Sequence, residues 1–305
     1  MAQISISRKE YGEAQNHIVE ILRIGKGANS VILEHAGLLA EARLSMEQGD
    51  EPRCLEALRS AMALGKTHGF VNDPWWLPSV MARLCAKALE AGIEVDYVQD
   101  LIRKRNLFPD VAPFDIENWP WPLKIYTLGR FEVEKDGKPV SSSGKAQKVP
   151  LLMLKALIAL GAKDVKEEEV SDLLWPEADG DLAHDSFRQN LSRLRQLLGF
   201  DKSVRFQDGK TTLDSRYCWV DLWAFERIHG QAESLWKDGP NLAQGSEVFR
   251  LSEGAMNLYK GHFLLGEAEH YWLLPLRGRL KRKFLNLVSR LADHYSKRGE
   301  WRKAA

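Results

Sequence analysis

The sequence predicts a mainly α protein in which helical segments at both ends flank a small domain of strands and helices. Three observations lead there. Apolar residues recur with a helical period from Ser7 to about Lys104. Four prolines between residues 105 and 122 end that pattern. Beyond them the period falls to two before helical spacing returns. A chain of 305 residues has room for about two or three domains. The expected divisions are a repeat segment at 1–104, a Pro/Trp linker at 105–121, a mixed domain at 122–221 and a helical domain at 222–305.

In the first segment, breaks are expected at Gly25–Gly27, Gly49–Asp50 and Gly92. Around Gly49 small residues are spaced for close packing of two helices, with Ala42 in the first and Cys54 and Ala61 in the second. This pattern resembles a tetratricopeptide (TPR) helical pair. A partial copy at Tyr11-Gly12-Glu13-Ala14 reads as the start of a second helix with no first helix before it. At the other end Leu291, Ala292, Tyr295, Gly299, Glu300, Trp301 and Ala304 fit a first helix and turn, giving a TPR-like C-terminal domain. Such repeats bury their faces against neighbours. Half-repeats at both ends therefore predict a fragment of a larger polypeptide, with irregular capping helices as the alternative.

After the linker, Leu123, Ile125 and Thr127 alternate with Lys124, Tyr126 and Leu128 as a strand, and Asp136-Gly137 marks a hairpin. Pro150 sits in the first turn of an apolar helix that ends near Gly161. A second helix, Glu167 to Trp175, carries acids in its first turn and stops at Pro176. The third is expected from Leu182 to Leu198, with Gly199 as its C-terminal cap. Val204–Gln207 and Lys210–Leu213 then flank an Asp208-Gly209 turn.

Composition narrows the function classes. Hydrophobic residues make up 44% and charged residues 28%, which excludes a disordered or collagen-like chain. The 43 basic residues nearly cancel the 42 acidic ones, so the total charge advertises no nucleic acid. Its distribution is polarised: residues 163–181 hold 2 basic and 8 acidic side chains, residues 182–216 hold 7 and 4. Three scattered cysteines argue against a disulfide framework or a zinc knuckle. No apolar run approaches the roughly 18 residues of a membrane helix, and Arg8, Lys9 and Glu10 interrupt any signal-peptide core. A cytoplasmic protein without membrane contact is expected. Gly65-Lys66-Thr67 lacks a phosphate loop's first glycine, since position 60 is Ser60. The group His262, Glu267, Glu269 and His270 has no zinc-ligand spacing. No catalytic residue, cofactor, metal or enzymatic activity is expected.

Strands, three helices and a hairpin follow the order of a winged helix-turn-helix. Three motifs sit in that order: Leu128-Gly129-Arg130-Phe131-Glu132-Val133, Leu173-Leu174-Trp175-Pro176, and Ser192-Arg193-Leu194-Arg195-Gln196-Leu197-Leu198-Gly199. Together they resemble the OmpR-type winged helix in the form found in the SARP (Streptomyces antibiotic regulatory protein) family. Val220-Asp221-Leu222-Trp223-Ala224-Phe225-Glu226 resembles that family's junction into its bacterial transcriptional activation domain, and Gly261-His262-Phe263-Leu264-Leu265-Gly266 a signature within it. The first 110 residues are similar, more loosely, to the helical-repeat arm of MalT-like STAND regulators. This resemblance implies a sequence-specific transcriptional activator. Its implied partners are double-stranded DNA, bound as tandem protomers on direct repeats, and RNA polymerase.

On a helical wheel Phe187, Leu191, Leu194 and Leu198 fall within about 60° of arc. Arg188, Gln189, Ser192 and Arg193 lie outside it, side chains able to hydrogen-bond base edges. The resemblance places these four at base-contacting positions. Expected phosphate contacts are Lys145, Lys148, Asn190, Arg195, Arg205 and Lys210, with a structural ion pair as the alternative for Arg195. The acidic stretch Glu167–Asp181 is the expected polymerase-facing surface. The run Arg277, Arg279, Lys281, Arg282, Lys283 reads as a solvated helix face or as auxiliary phosphate contacts. A protein-interaction scaffold, with the winged helix binding protein, is the competing class.

Overall fold

The computed structural model describes residues 1–72, 76–140, 147–237, 245–267, 270–297 and 299–300. It divides into two units, Met1–Pro120 and Trp121–Ala305. It is mainly helical, with two small sheets.

The first unit is a run of helices: α1 (Ala2–Ser7), α2 (Tyr11–Gly27), α3 (Val31–Gln48), α4 (Glu51–His68), α5 (Pro78–Glu90) and α6 (Val95–Arg105). Gly49, left-handed at φ 74°, ends α3, and Asp50 caps α4 by accepting from the Arg53 amide at 3.2 Å. Ala42, Cys54 and Ala61 are buried in this pair. Two expectations are corrected. A short helix, α1, precedes α2, and the Arg43 guanidinium ties it to α3 by donating to Gln3 and to Ser7 Oγ. Gly25 lies inside α2, buried against Glu34, so the break falls after Gly27. The turn after α4, at Gly69, was not expected.

His35, on α3, is 1% exposed beside the Phe70 and Trp76 rings. Burial pushes its imidazole down to about 4 from an ordinary value near 6.5. The folded chain therefore holds this proton more weakly than the unfolded one. The resulting stability is present above pH 6.5 and is lost as the pH falls through 4. Its upper bound is about 3 kcal/mol. Urea titrations at pH 7 and pH 4.5 should show a weaker pH dependence in His35→Leu than in the parent. Equal slopes would contradict this account.

The second unit opens with β1 (Leu123–Tyr126), β2 (Glu132–Lys135) and β3 (Lys138–Pro139), joined at Asp136-Gly137, both left-handed. Three helices follow: α7 (Lys148–Ala159), α8 (Glu167–Leu174) and α9 (Gly180–Leu198), the last beginning two residues before the expected Leu182. A two-residue strand, β4 (Val165–Lys166), precedes α8. Behind α9 stand β5 (Val204–Gln207), β6 (Lys210–Leu213) and β7 (Cys218–Val220). The sheet orders are β3-β2-β1-β7 and β4-β6-β5. Within the first, β1 runs antiparallel to β2 with Ile125 opposite Val133, and parallel to β7 with Ile125 opposite Val220. The chain ends in α10 (Asp221–Lys237), α11 (Gly245–Leu258) and α12 (Leu274–Lys297). Trp301 and Ala304 lie outside the described residues.

Among the described residues of this unit a continuous hydrophobic core runs from Ile125 and Leu157 through Phe187 to Phe225, Phe263 and Leu280. The division expected at residue 221 thus crosses continuous packing. Asp221 marks the seam. Its buried carboxylate accepts from the Thr127 amide and hydroxyl, the Leu128 amide and the Leu222 amide, all within 2.8 Å. Burial pushes the carboxyl up to about 6 despite these donors. Alongside, the Leu264 amide donates to Thr127 O at 2.7 Å and the Gly129 amide to His262 O at 3.1 Å. Lys155, which interrupts the apolar run of α7, reaches Glu267 at 2.6 Å and lies 4.1 Å over the Phe131 ring. Among the described residues no helix is long and apolar enough to cross a membrane.

Candidate nucleic-acid interface

Helix α9 owes its position to its apolar stripe. Phe187, Leu191, Leu194 and Leu198 are buried, and Phe206 of β5 packs on Phe187 with ring centroids 5.5 Å apart. The opposite face carries Arg188, Gln189, Ser192 and Arg193, all exposed, as expected from the wheel. The Arg188 guanidinium lies 4.8 Å over the Phe206 ring, a cation–π contact that orients it beside the hairpin. A single-helix reading does not reveal this contact.

The expected phosphate contacts divide. Lys148, at the start of α7, is exposed, as are Arg205 and Lys210. Arg205 pairs with Thr212 across the hairpin and Gln207 with Lys210, so the two cations share the face turned away from Val204 and Leu213. Asn190 is 5% exposed, and its amide donates to Ser186 O at 2.8 Å, which withdraws it from any phosphate. Arg195 donates from Nε to Val204 O at 2.9 Å, which pins the hairpin to α9, and among the described residues it has no ion-pair partner. Lys145 lies outside the described residues.

The structure adds Arg216, absent from the expected set. Asp214, 4% exposed, accepts from Arg216 at 2.7 Å and lies 3.4 Å from Arg205. Burial alone would raise the Asp214 carboxyl. Hydrogen bonds from the Arg216 side chain and backbone, with the charges of Arg216 and Arg205, outweigh it and hold the carboxyl below its ordinary value. One buried anion thereby positions two exposed guanidiniums, Arg205 on β5 and Arg216 just after β6. The basic run of α12 is largely used within the fold: Arg277 donates to the Phe263 and Leu264 carbonyls, while Arg279 and Lys283 pair with Glu226. Lys281 and Arg282 are exposed.

Beyond the hairpin, β7 leads into α10 without a break. Residues 220–305 match the family described as Bacterial transcriptional activator domain. The activator domain thus begins at the seam residue's neighbour, Val220, and its helices share the core of α7 and α9. The matched family is one of transcription regulation. The chain also resembles part of the structure described as Mycobacterium tuberculosis EmbR in complex with low affinity phosphopeptide, with 21% identity and a TM-score of 0.47. That similarity covers 58% of this chain and 46% of the other, so the chain spans less than half of its length. No curated protein matches the chain. Among the described residues no group of three or more His, Cys, Asp or Glu side chains is placed to hold a metal ion, and Glu269 lies outside them.

Proposed function

We propose that the chain is a sequence-specific, DNA-binding transcriptional activator of the SARP type, acting in the cytoplasm, and that α9 enters the major groove. One observation carries the reading: Arg188, Gln189, Ser192 and Arg193 stand exposed on a single face of a helix whose other face is locked into the core. Arginine pairs bidentately with guanine, glutamine with adenine, and serine takes either role. Lys148, Arg205, Lys210 and Arg216 supply cations for phosphates around that face. The activator-domain match supports the regulatory half of the reading. RNA polymerase is the proposed protein partner. Tandem protomers on direct repeats are the proposed arrangement on DNA, and an OmpR-type mode of docking goes with it.

The test is fluorescence anisotropy against a mixed pool of promoter-length duplexes at low and moderate salt, followed by selection of the bound fraction. Steeply salt-dependent binding is expected, with direct repeats enriched. Arg188→Ala with Arg193→Ala should weaken binding to the selected site by about 1–3 kcal/mol for each lost base contact. An unchanged affinity in the double variant would overturn groove reading by α9, and no DNA binding even at low salt would favour a protein-binding scaffold.

A further inference from the structure

We propose that a cleft between α1 and the segment entering α5 binds a carboxylate attached to a compact apolar body. The cleft has a volume of about 450 Å³, the size of a small-molecule site. Helix α1 buries Ser5 and Ile6 and leaves Gln3, Ile4 and Ser7 to line the cleft. Ile4 is 51% exposed and Leu77, on the α5 side, 45%, so their apolar surface is uncovered. The polar side chains of the lining either donate or have their acceptor engaged. Gln3 Oε1 accepts from Arg43 Nη1, which leaves the Gln3 amide nitrogen to donate elsewhere. Ser7 Oγ accepts from Arg43 Nη2 at 2.9 Å and donates to Gln3 O at 2.9 Å. Trp76 lines the cleft, and its buried indole N–H has no partner among the described residues. A buried donor left in that state is stabilised by whichever acceptor meets it.

The charge is one-sided. Arg8 lines the cleft, is exposed, and has no ion pair among the described residues. Arg43, which holds Gln3 and Ser7, is 6% exposed, donates only to neutral oxygens, and has an Nε without a partner. Burial pulls its guanidinium below the ordinary value, opposed by the charge of Glu47 and aided by that of Arg83. Glu47 is itself paired to Arg83 at 2.9 Å. No carboxylate lines the cleft. Donors and positive charge beside uncovered apolar surface suit a carboxylate on a hydrocarbon body, since charge-assisted hydrogen bonds are the strong ones and the apolar wall gains by leaving water. A bare anion would leave Ile4 and Leu77 uncovered, and a neutral ligand would leave Arg8 and Arg43 unmatched. All these residues belong to Met1–Pro120, so the site requires nothing of α9.

The full chain is titrated at pH 7 with octanoate and with acetyl-Gly-Gly-Leu carrying a free C-terminal carboxylate, each beside its neutral amide. The Trp76 indole N–H is followed by NMR, and Trp76→Phe assigns its signal. A saturable shift is expected with at least one carboxylate, and the tighter of the two tells a free acid from a protein C-terminus. The corresponding amide should bind at least about tenfold more weakly. Arg8→Gln, at an exposed position, should weaken the carboxylate about threefold. Gln3→Glu sets a carboxylate of the chain's own beside Arg43 and should weaken it at least about tenfold while the thermal midpoint holds. Equal binding of acid and amide, a Gln3→Glu chain that binds like the parent, or no saturable shift with either carboxylate would each overturn the proposal.

Discussion

Asp221→Ala is expected to destabilise the Trp121–Ala305 unit by roughly 3–5 kcal/mol. The substitution leaves the buried Thr127, Leu128 and Leu222 amides without their acceptor. Each unsatisfied buried donor costs about 1–3 kcal/mol, and relief from burying a charge offsets part of the sum. Asp221→Asn, which keeps one acceptor oxygen, should lose less. The pH dependence has a definite sign. A carboxyl raised to about 6 in the fold, from 3.8, contributes stability that is present in full below 3.8 and lost as the pH rises through 6. Its size is at most about 3 kcal/mol. Urea titrations of the parent and of the Ala and Asn variants at pH 4.5 and pH 7 measure both effects. An Ala variant within 1 kcal/mol of the parent, on the order of a single ordinary hydrogen bond, would mean that the seam does not depend on this carboxylate.

The fold was legible wherever local chemistry decides conformation. Asp136-Gly137 and Asp208-Gly209 stand at left-handed turns, and Val204–Gln207 and Lys210–Leu213 form the hairpin with the bounds read from the chain. What escaped was short or depended on distant partners. Cys218–Val220 is three residues long and buried on both sides, so it shows no alternation, and its ladder partner β1 lies some ninety residues earlier. Val165–Lys166 is a strand only because β6 runs beside it. Helix α1 has six residues and offers too few turns for a period to emerge.

The candidate interface divides along the same line. Wheel angles found the exposed quartet because the buried stripe of α9 is strongly apolar. They misplaced Asn190 and left Arg195 open because the hairpin folds back onto α9 and widens its buried arc, through Phe206 on Phe187 and Arg195 to Val204 O. Arg216 was invisible for a similar reason: its place is set by Asp214, whose burial is a tertiary fact. Lys155 reads in sequence as a flaw in an apolar helix, and only the approach of Glu267 from the activator domain gives it a role.

Gly129→Ala is expected to cost about 3 kcal/mol, by two independent routes. Gly129 sits at φ +91°, where an L-residue pays roughly 1–2 kcal/mol. A Cβ built there would also stand 2.7 Å from the Lys260 carbonyl carbon and oxygen, and that backbone is not free to swing aside as a side-chain tip is. Overpacking of this kind adds typically 1–3 kcal/mol. The Leu128-Gly129 motif thus has a physical reason: this is where β1 leaves the first sheet and presses against the loop before Phe263. Asp221 holds the Leu128 and Thr127 amides, one and two residues away. Once either substitution has loosened the segment, the other should lose less, so Gly129→Ala with Asp221→Asn should be less destabilised than the sum, by at least about 0.5 kcal/mol. Strict additivity would mean that the two contacts act separately. Neither residue belongs to the exposed face of α9, so under conditions where the variants stay folded their DNA affinity should match the parent's. A folded Gly129→Ala chain with altered site selection would instead show that the seam sets the orientation of the reading helix.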